Sequence, residues 1–187
     1  MSAGTVPRRE LLLTAAAELF RRRGFHAVGV DDIAEAAGIT GPGLYRHFAN
    51  KEALLVALFD RAGQALVERA RQRVAEAADA EEAFEALCLA HLEMAVTDRS
   101  LLSVYLLEIR SLPHGQRQRL AETRHAYYAL WEEVASQLRP DLRAGTVAAV
   151  VRGVLAMLTT AGEGGDGLEP TSRLFAPMAR QALEAAR

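Results

Sequence analysis

Apolar residues along this chain recur at helical spacing almost from end to end, and nowhere do they alternate with the two-residue period of a half-buried strand. Leu12, Ala16, Leu19 and Phe20 share one face of a first segment, and Leu54, Leu55, Leu58, Phe59, Ala62 and Leu66 share one face of a longer one. This pattern restricts the chain to an all-α fold, which glycines, prolines and capping residues cut into about nine helices. The first is expected from Arg8 to Arg23, stopped by Gly24, with Arg21-Arg22-Arg23 complementing the macrodipole as a solvated helix end. A short second helix starts near Asp31 and ends at Gly38; Thr40 caps a third that reaches Phe48. Asn50 caps a long fourth, running from Lys51 toward Ala77, and Asp79 caps a fifth, from Glu81 to Val96. The sixth is expected from Arg99 to Leu112, before Pro113, and the seventh from Gln116 to Leu138. An eighth runs from Asp141 to Ala161 and a ninth from Thr171, with Gly162-Glu163-Gly164-Gly165-Asp166-Gly167 as the loop between them.

A chain of 187 residues, half of them apolar and a quarter charged, has room for a small domain attached to a larger one and is not disordered. Its net charge of −2 excludes a polybasic nucleic-acid binder, but the charge is unevenly spread: residues 1–51 hold seven basic side chains against five acidic ones, and the remainder 15 against 19. One cysteine, Cys88, excludes an intramolecular disulfide framework and reads as a small buried hydrophobe. The run after Pro7-Arg8-Arg9 is bracketed by Glu10 and Glu18 and lacks a small-residue cleavage pattern, so it is not read as a signal peptide. Val147–Leu158 is interrupted by Arg152 and too short to span a bilayer. A cytoplasmic protein with no membrane partner is expected.

The stretch from Gly24 to Leu55, GFHAVGVDDIAEAAGITGPGLYRHFANKEALL, carries the function. Ile33, Ala34 and Ala37 face inward, and the small alanines let two short helices cross closely. Gly38 supplies the positive φ that a residue with a Cβ resists, and Ile39 plugs the small core beside it. Two short helices joined by a tight glycine turn form a helix-turn-helix, whose second helix is offered to the major groove of DNA.

With Val30, Ile33, Ala34, Ala37, Gly38, Ile39, Thr40, Leu44, Tyr45, Phe48, Lys51, Glu52 and Leu54 in register, this segment resembles the DNA-binding region of the TetR family of transcriptional regulators. The resemblance implies an N-terminal three-helix DNA-binding domain over residues 1–50 and a helical ligand-sensing and dimerisation domain over 51–187. It also implies that Thr40, Tyr45, His47 and Lys51 sit near DNA phosphates, which suits two hydroxyls, an imidazole and an ammonium. Gly41, Pro42, Gly43 and Arg46 would lie toward base edges, the glycines admitting the backbone to the groove floor, Pro42 meeting a thymine methyl, and Arg46 reading guanine. Tyr45 is expected to bury its ring while its hydroxyl reaches a phosphate, and Phe48 to be a core aromatic. Two departures stand out: Gly29 replaces a frequent threonine, and glycine and proline lower the helicity of the recognition helix.

Beyond residue 51 no sharp motif occurs, only amphipathic helices with polar or aromatic side chains in apolar faces. His91, Tyr105, Glu108, Arg110, His125, Tyr128 and Trp131 are the candidates for an apolar inducer pocket with a few orienting polar groups, a small apolar or acyl-type molecule being the expected ligand. Cys88 and His91 share a face, but no compact His/Cys/carboxylate cluster accompanies them, so neither a metal site nor a cofactor is expected. The eighth helix carries Val147, Val150, Val151, Val154, Leu155 and Leu158 among small residues, and the ninth adds Leu174, Phe175, Met178 and Leu183. Such wide apolar faces need covering on more than one side, and the resemblance implies a two-fold homodimer through these last two helices, bound to palindromic operator DNA and released by an inducer. A helical adaptor or a DNA-binding protein without an inducer is the alternative. An enzyme is not expected: Cys88 has no evident base, and neither a nucleophile elbow nor a phosphate loop is present.

Overall fold

The computed structural model describes residues 7–110, 112–162 and 167–187. Among them are nine helices and no strand: α1 (Arg8–Arg23), α2 (Val30–Ala36), α3 (Gly41–Tyr45), α4 (Lys51–Glu76), α5 (Ala80–Thr97), α6 (Arg99–Glu108), α7 (His114–Leu138), α8 (Ala144–Gly162) and α9 (Leu168–Glu184). The all-α expectation holds. By packing, the chain gathers into two compact units, one running through Ala62 and including Ser100–Leu120, the other made of Gly63–Arg99 and Ala121–Arg187. The sequence reading divides the chain at residue 50; these units, defined by contact, divide it first after Ala62.

The first unit is built on α1, whose Leu12, Leu13, Ala16 and Phe20 are buried. Gly24, at φ +78°, ends that helix and returns its N–H to Phe20 O at 2.9 Å. Ile33 and Ala34 from α2, Leu44 from α3 and Phe48 close a core with Leu54, Leu55, Leu58 and Phe59 of α4. Val104 of α6, Leu112 just before α7 and Leu120 of α7 complete it. Asp60, also buried, accepts from Arg119 Nε at 2.5 Å.

The second unit packs α8 against α5 and α9. Its core holds Phe84, Leu87, Leu92, Tyr127 and Trp131 with Val147, Val151, Leu155 and Leu158. Asp79 caps α5 by accepting from Glu82 N at 2.9 Å. Among the described residues α8 alone is long and apolar enough to cross a membrane; here it lies in a bundle against two other helices.

Several helix boundaries move. α6 ends at Glu108 rather than Leu112, because the chain turns before Pro113 and Arg117 donates to Leu112 O at 2.6 Å. α8 starts at Ala144 rather than Asp141, whose carboxylate is held by the Arg139 guanidinium at 2.7 and 2.8 Å. That guanidinium also donates to Leu183 O, Glu184 O and Ala186 O, tying the end of α9 to the α7–α8 turn. Of the expected glycine loop, residues 163–166 lie outside the described residues; Gly162 closes α8 and Gly167, at φ +82°, precedes α9.

Candidate nucleic-acid interface

Gly29 leaves no side chain to cap α2, and Asp32 supplies the missing contact from inside the helix. Its Oδ2 accepts from Gly29 N at 2.7 Å, half of a reciprocal capping arrangement. That backbone hydrogen bond, with Arg23 beside it, holds the Asp32 carboxyl below the usual carboxylate range. Gly38, at φ +65°, makes the turn, and Ile39 N returns to Ala34 O at 2.8 Å.

The recognition helix is shorter than the sequence implies. α3 covers Gly41–Tyr45 only, and residues 46–48 continue as a turn in which His47 N and Phe48 N both bond Leu44 O. Glycine and proline in three consecutive positions explain the brevity. A Cβ at Gly43 would lie 2.8 Å from Ile39 Cγ2 and 3.2 Å from Thr40 Oγ1, so a contact within the protein already favours glycine there. At Gly41 the Cβ would meet Asp31 Oδ1 at 3.3 Å.

Leu44 and Phe48 anchor the segment in the core, and Thr40, Pro42, Tyr45, Arg46 and His47 face solvent. Thr40 occupies the N-cap position without a side-chain cap bond, which leaves its hydroxyl to other partners. Tyr45 departs from expectation: 56% exposed, it does not bury its ring. One helical turn of core contact is already supplied by Leu44, and Tyr45 falls on the other side.

Lys51 is placed differently from a side chain extended toward solvent. Its ammonium donates to Phe25 O at 2.9 Å and Val28 O at 3.0 Å and lies 4.3 Å from the centre of the Phe25 ring. Two of its three N–H groups are thus engaged with the turn between α1 and α2.

The seven pocket candidates are divided between the two units. His91 and Trp131 meet in the core of the second unit with ring centroids 6.2 Å apart. Tyr105, Glu108 and Arg110 belong to the first unit: Tyr105 packs edge-on against Phe59, Glu108 pairs with His26 at 2.9 Å, and Arg110 is exposed. His125 is exposed and Tyr128 half-buried beside the second core. The residue that sequence reasoning missed is Tyr127, whose hydroxyl lies 3.2 Å from His91 Nδ1, while Thr159 Oγ1 lies 3.0 Å from Nε2. The spacing of Tyr127, Trp131, Val134 and Ala135 on one helix face carried that signal. Burial lowers the His91 imidazole to about 4, raises the Tyr127 phenol, and pushes the Cys88 thiol up to about 12. Among the described residues no three His, Cys, Asp or Glu side chains converge as a metal site.

On α8 and α9, Ala156, Met157, Thr160, Ala161, Leu174 and Phe175 line an open groove of about 810 Å³. Leu174 in this lining is 58% exposed, and Met178, on the same helix, 42%.

Comparison with known proteins agrees with this arrangement. Residues 12–58 match the model for bacterial regulatory proteins of the tetR family, and residues 77–162 match that for a tetracyclin repressor-like C-terminal domain. The transcriptional repressor KstR2 of Rhodococcus jostii is 34% identical over 131 residues, 70% of this chain; the chain spans 64% of that relative's length. KstR2 of Mycobacterium tuberculosis is 32% identical over 152 residues, covering 78% of this chain and 76% of the relative. The structure of AibR in complex with isovaleryl coenzyme A and operator DNA shares the fold, with a TM-score of 0.76 at 23% identity over 94% of this chain and 97% of AibR.

Proposed function

Because the chain belongs to the TetR family of bacterial regulatory proteins, being a regulator and not an enzyme, we propose that it is a ligand-released repressor that binds palindromic operator DNA as a homodimer. The observation that carries this is the recognition segment: Leu44 and Phe48 fix it to the core while Thr40, Pro42, Tyr45, Arg46 and His47 are left to solvent. In this reading residues 1–50 are the DNA-binding domain and 51–187 sense ligand and dimerise. Thr40, Tyr45 and His47 donate to phosphates, Gly41, Pro42 and Gly43 lie against the groove, and Arg46 reads a base edge. Lys51 has one N–H left for a phosphate after its two carbonyl contacts.

The α8–α9 face is the dimer contact, since exposed Leu174 and Met178 beside an apolar groove are what a two-fold partner covers. The inducer is a small apolar or acyl-type molecule, a class supported by the isovaleryl coenzyme A bound to AibR. His91, with Tyr128 and Trp131, supplies orienting groups in the second unit, and Tyr105, Glu108, Arg110 and His125 remain candidates. An inducer acts by binding better to a conformer whose two recognition helices no longer fit successive grooves, and only its differential affinity lowers operator binding. Such a protein works where its DNA is, in the cytoplasm.

The test is recovery of genomic fragments by the purified full-length chain. One or a few two-fold-symmetric sites support the repressor, and no enrichment refutes it.

A further inference from the structure

Resting on that DNA-binding proposal, we infer that Arg9, at the start of α1 and outside the helix-turn-helix motif, is a phosphate-contact residue of the same face. Its guanidinium carbon lies 5.3 Å from the centre of the Phe48 ring. Phe48 is buried and directly follows the exposed Tyr45-Arg46-His47 run, so the ring seats Arg9 beside the end of the recognition segment. The side chain is 48% exposed: the stack covers part of it, and the rest faces water.

No protein acceptor takes an Arg9 N–H within hydrogen-bond distance among the described residues. The nearest anion, Glu10, is 3.7 Å away, and its other oxygen accepts from Arg61 at 3.1 Å. An arginine in the first turn of a helix also opposes the macrodipole, so α1 gains nothing electrostatically from holding it there. A guanidinium stacked on one ring, with only a 3.7 Å ion pair to Glu10 and no hydrogen bond on the protein side among the described residues, is ordered for planar contact with phosphate oxygens.

The test is the salt dependence of binding to a fluorescein-labelled, mixed-sequence duplex of roughly 30 base pairs, followed by anisotropy from about 50 to 200 mM NaCl. Arg9→Gln is expected to lower the slope of log K against log salt by about 0.9 for each bound protomer, and Arg9→Lys to keep it. Arg124→Gln, an exposed arginine on α7 in the second unit, removes the same charge and is expected to leave the slope in place. An unchanged slope in Arg9→Gln, or an equal drop in Arg124→Gln, overturns the role of Arg9. No binding by the wild-type chain overturns the DNA-binding proposal itself, and Arg9 with it. On the wild-type chain, independent of how any variant folds, phenylglyoxal modification of Arg9 read by mass spectrometry should fall severalfold when duplex is added; equal modification with and without DNA contradicts the contact.

Discussion

The Lys51 ammonium lies 2.9 Å from the carbonyl oxygen of Phe25, so the only lysine of the chain ties the first turn of α4 to the turn after α1. Lys51→Met leaves the Phe25 and Val28 carbonyls without that donor and is expected to lower the unfolding free energy by about 1–3 kcal/mol in urea. A phosphate role adds a drop of about one in the salt slope of DNA binding. Lost stability with the slope unchanged assigns Lys51 to the scaffold alone, and unchanged stability contradicts the tie.

Gly43→Ala separates helix propensity from packing. Alanine is the better helix former by about 1 kcal/mol, yet its Cβ would lie 2.8 Å from Ile39 Cγ2. The overpacking outweighs the gain, and a net loss of about 1–2 kcal/mol is expected in chemical denaturation. Gly41→Ala, facing Asp31 Oδ1 at 3.3 Å, should be close to neutral. Stabilisation by both substitutions would contradict the tight crossing of α2 and α3.

The buried His91 makes the second unit sensitive to acid. Its imidazole is lowered to about 4 from 6.5, so between those values the unfolded chain binds a proton that the native one does not. The contribution of neutral His91 is therefore complete above about pH 6.5 and lost as pH falls toward 4, by up to about 3 kcal/mol. His91→Gln is expected to flatten this part of the profile, measured as the difference from wild type in urea melts at about pH 7.5 and about pH 4.5. Parallel profiles would show that burial does not depress the imidazole.

Leu174→Glu tests the dimer face. In the proposed dimer two leucines leave the interface and two carboxylates enter it, which at about 1.5 kcal/mol or more per leucine is expected to weaken self-association at least about a hundredfold. Sedimentation velocity on wild type and variant measures it, and equal dissociation constants place the interface elsewhere.

Local signals in the sequence marked the helix ends that depend on local chemistry. Gly24 and Gly38 adopt the positive φ their positions demand, and Asp79 caps α5 as a carboxylate before a helix does. What escaped was set by residues distant in the chain. The inward turn of Lys51 depends on carbonyls 26 and 23 residues earlier, and the choice of Tyr127 over Tyr128 as partner of His91 depends on contacts 36 residues apart. The replacement of a frequent threonine by Gly29 is compensated by Asp32, which reaches back to the Gly29 N–H. The candidate DNA face was legible as a motif; Tyr45's exposure was not, since an aromatic in a small domain is as readily core as surface.

The central claim is that two copies of the segment around Arg46 read successive major grooves. Selection of binding sites from a randomised duplex library by the wild-type chain tests it most directly, with Arg46→Ala run in parallel. The expected result is a two-fold-symmetric site with half-sites about one helical turn apart, in which Arg46→Ala relaxes one position per half-site by about 1–3 kcal/mol. Selected sequences without symmetry, or the same preference from Arg46→Ala, would contradict it.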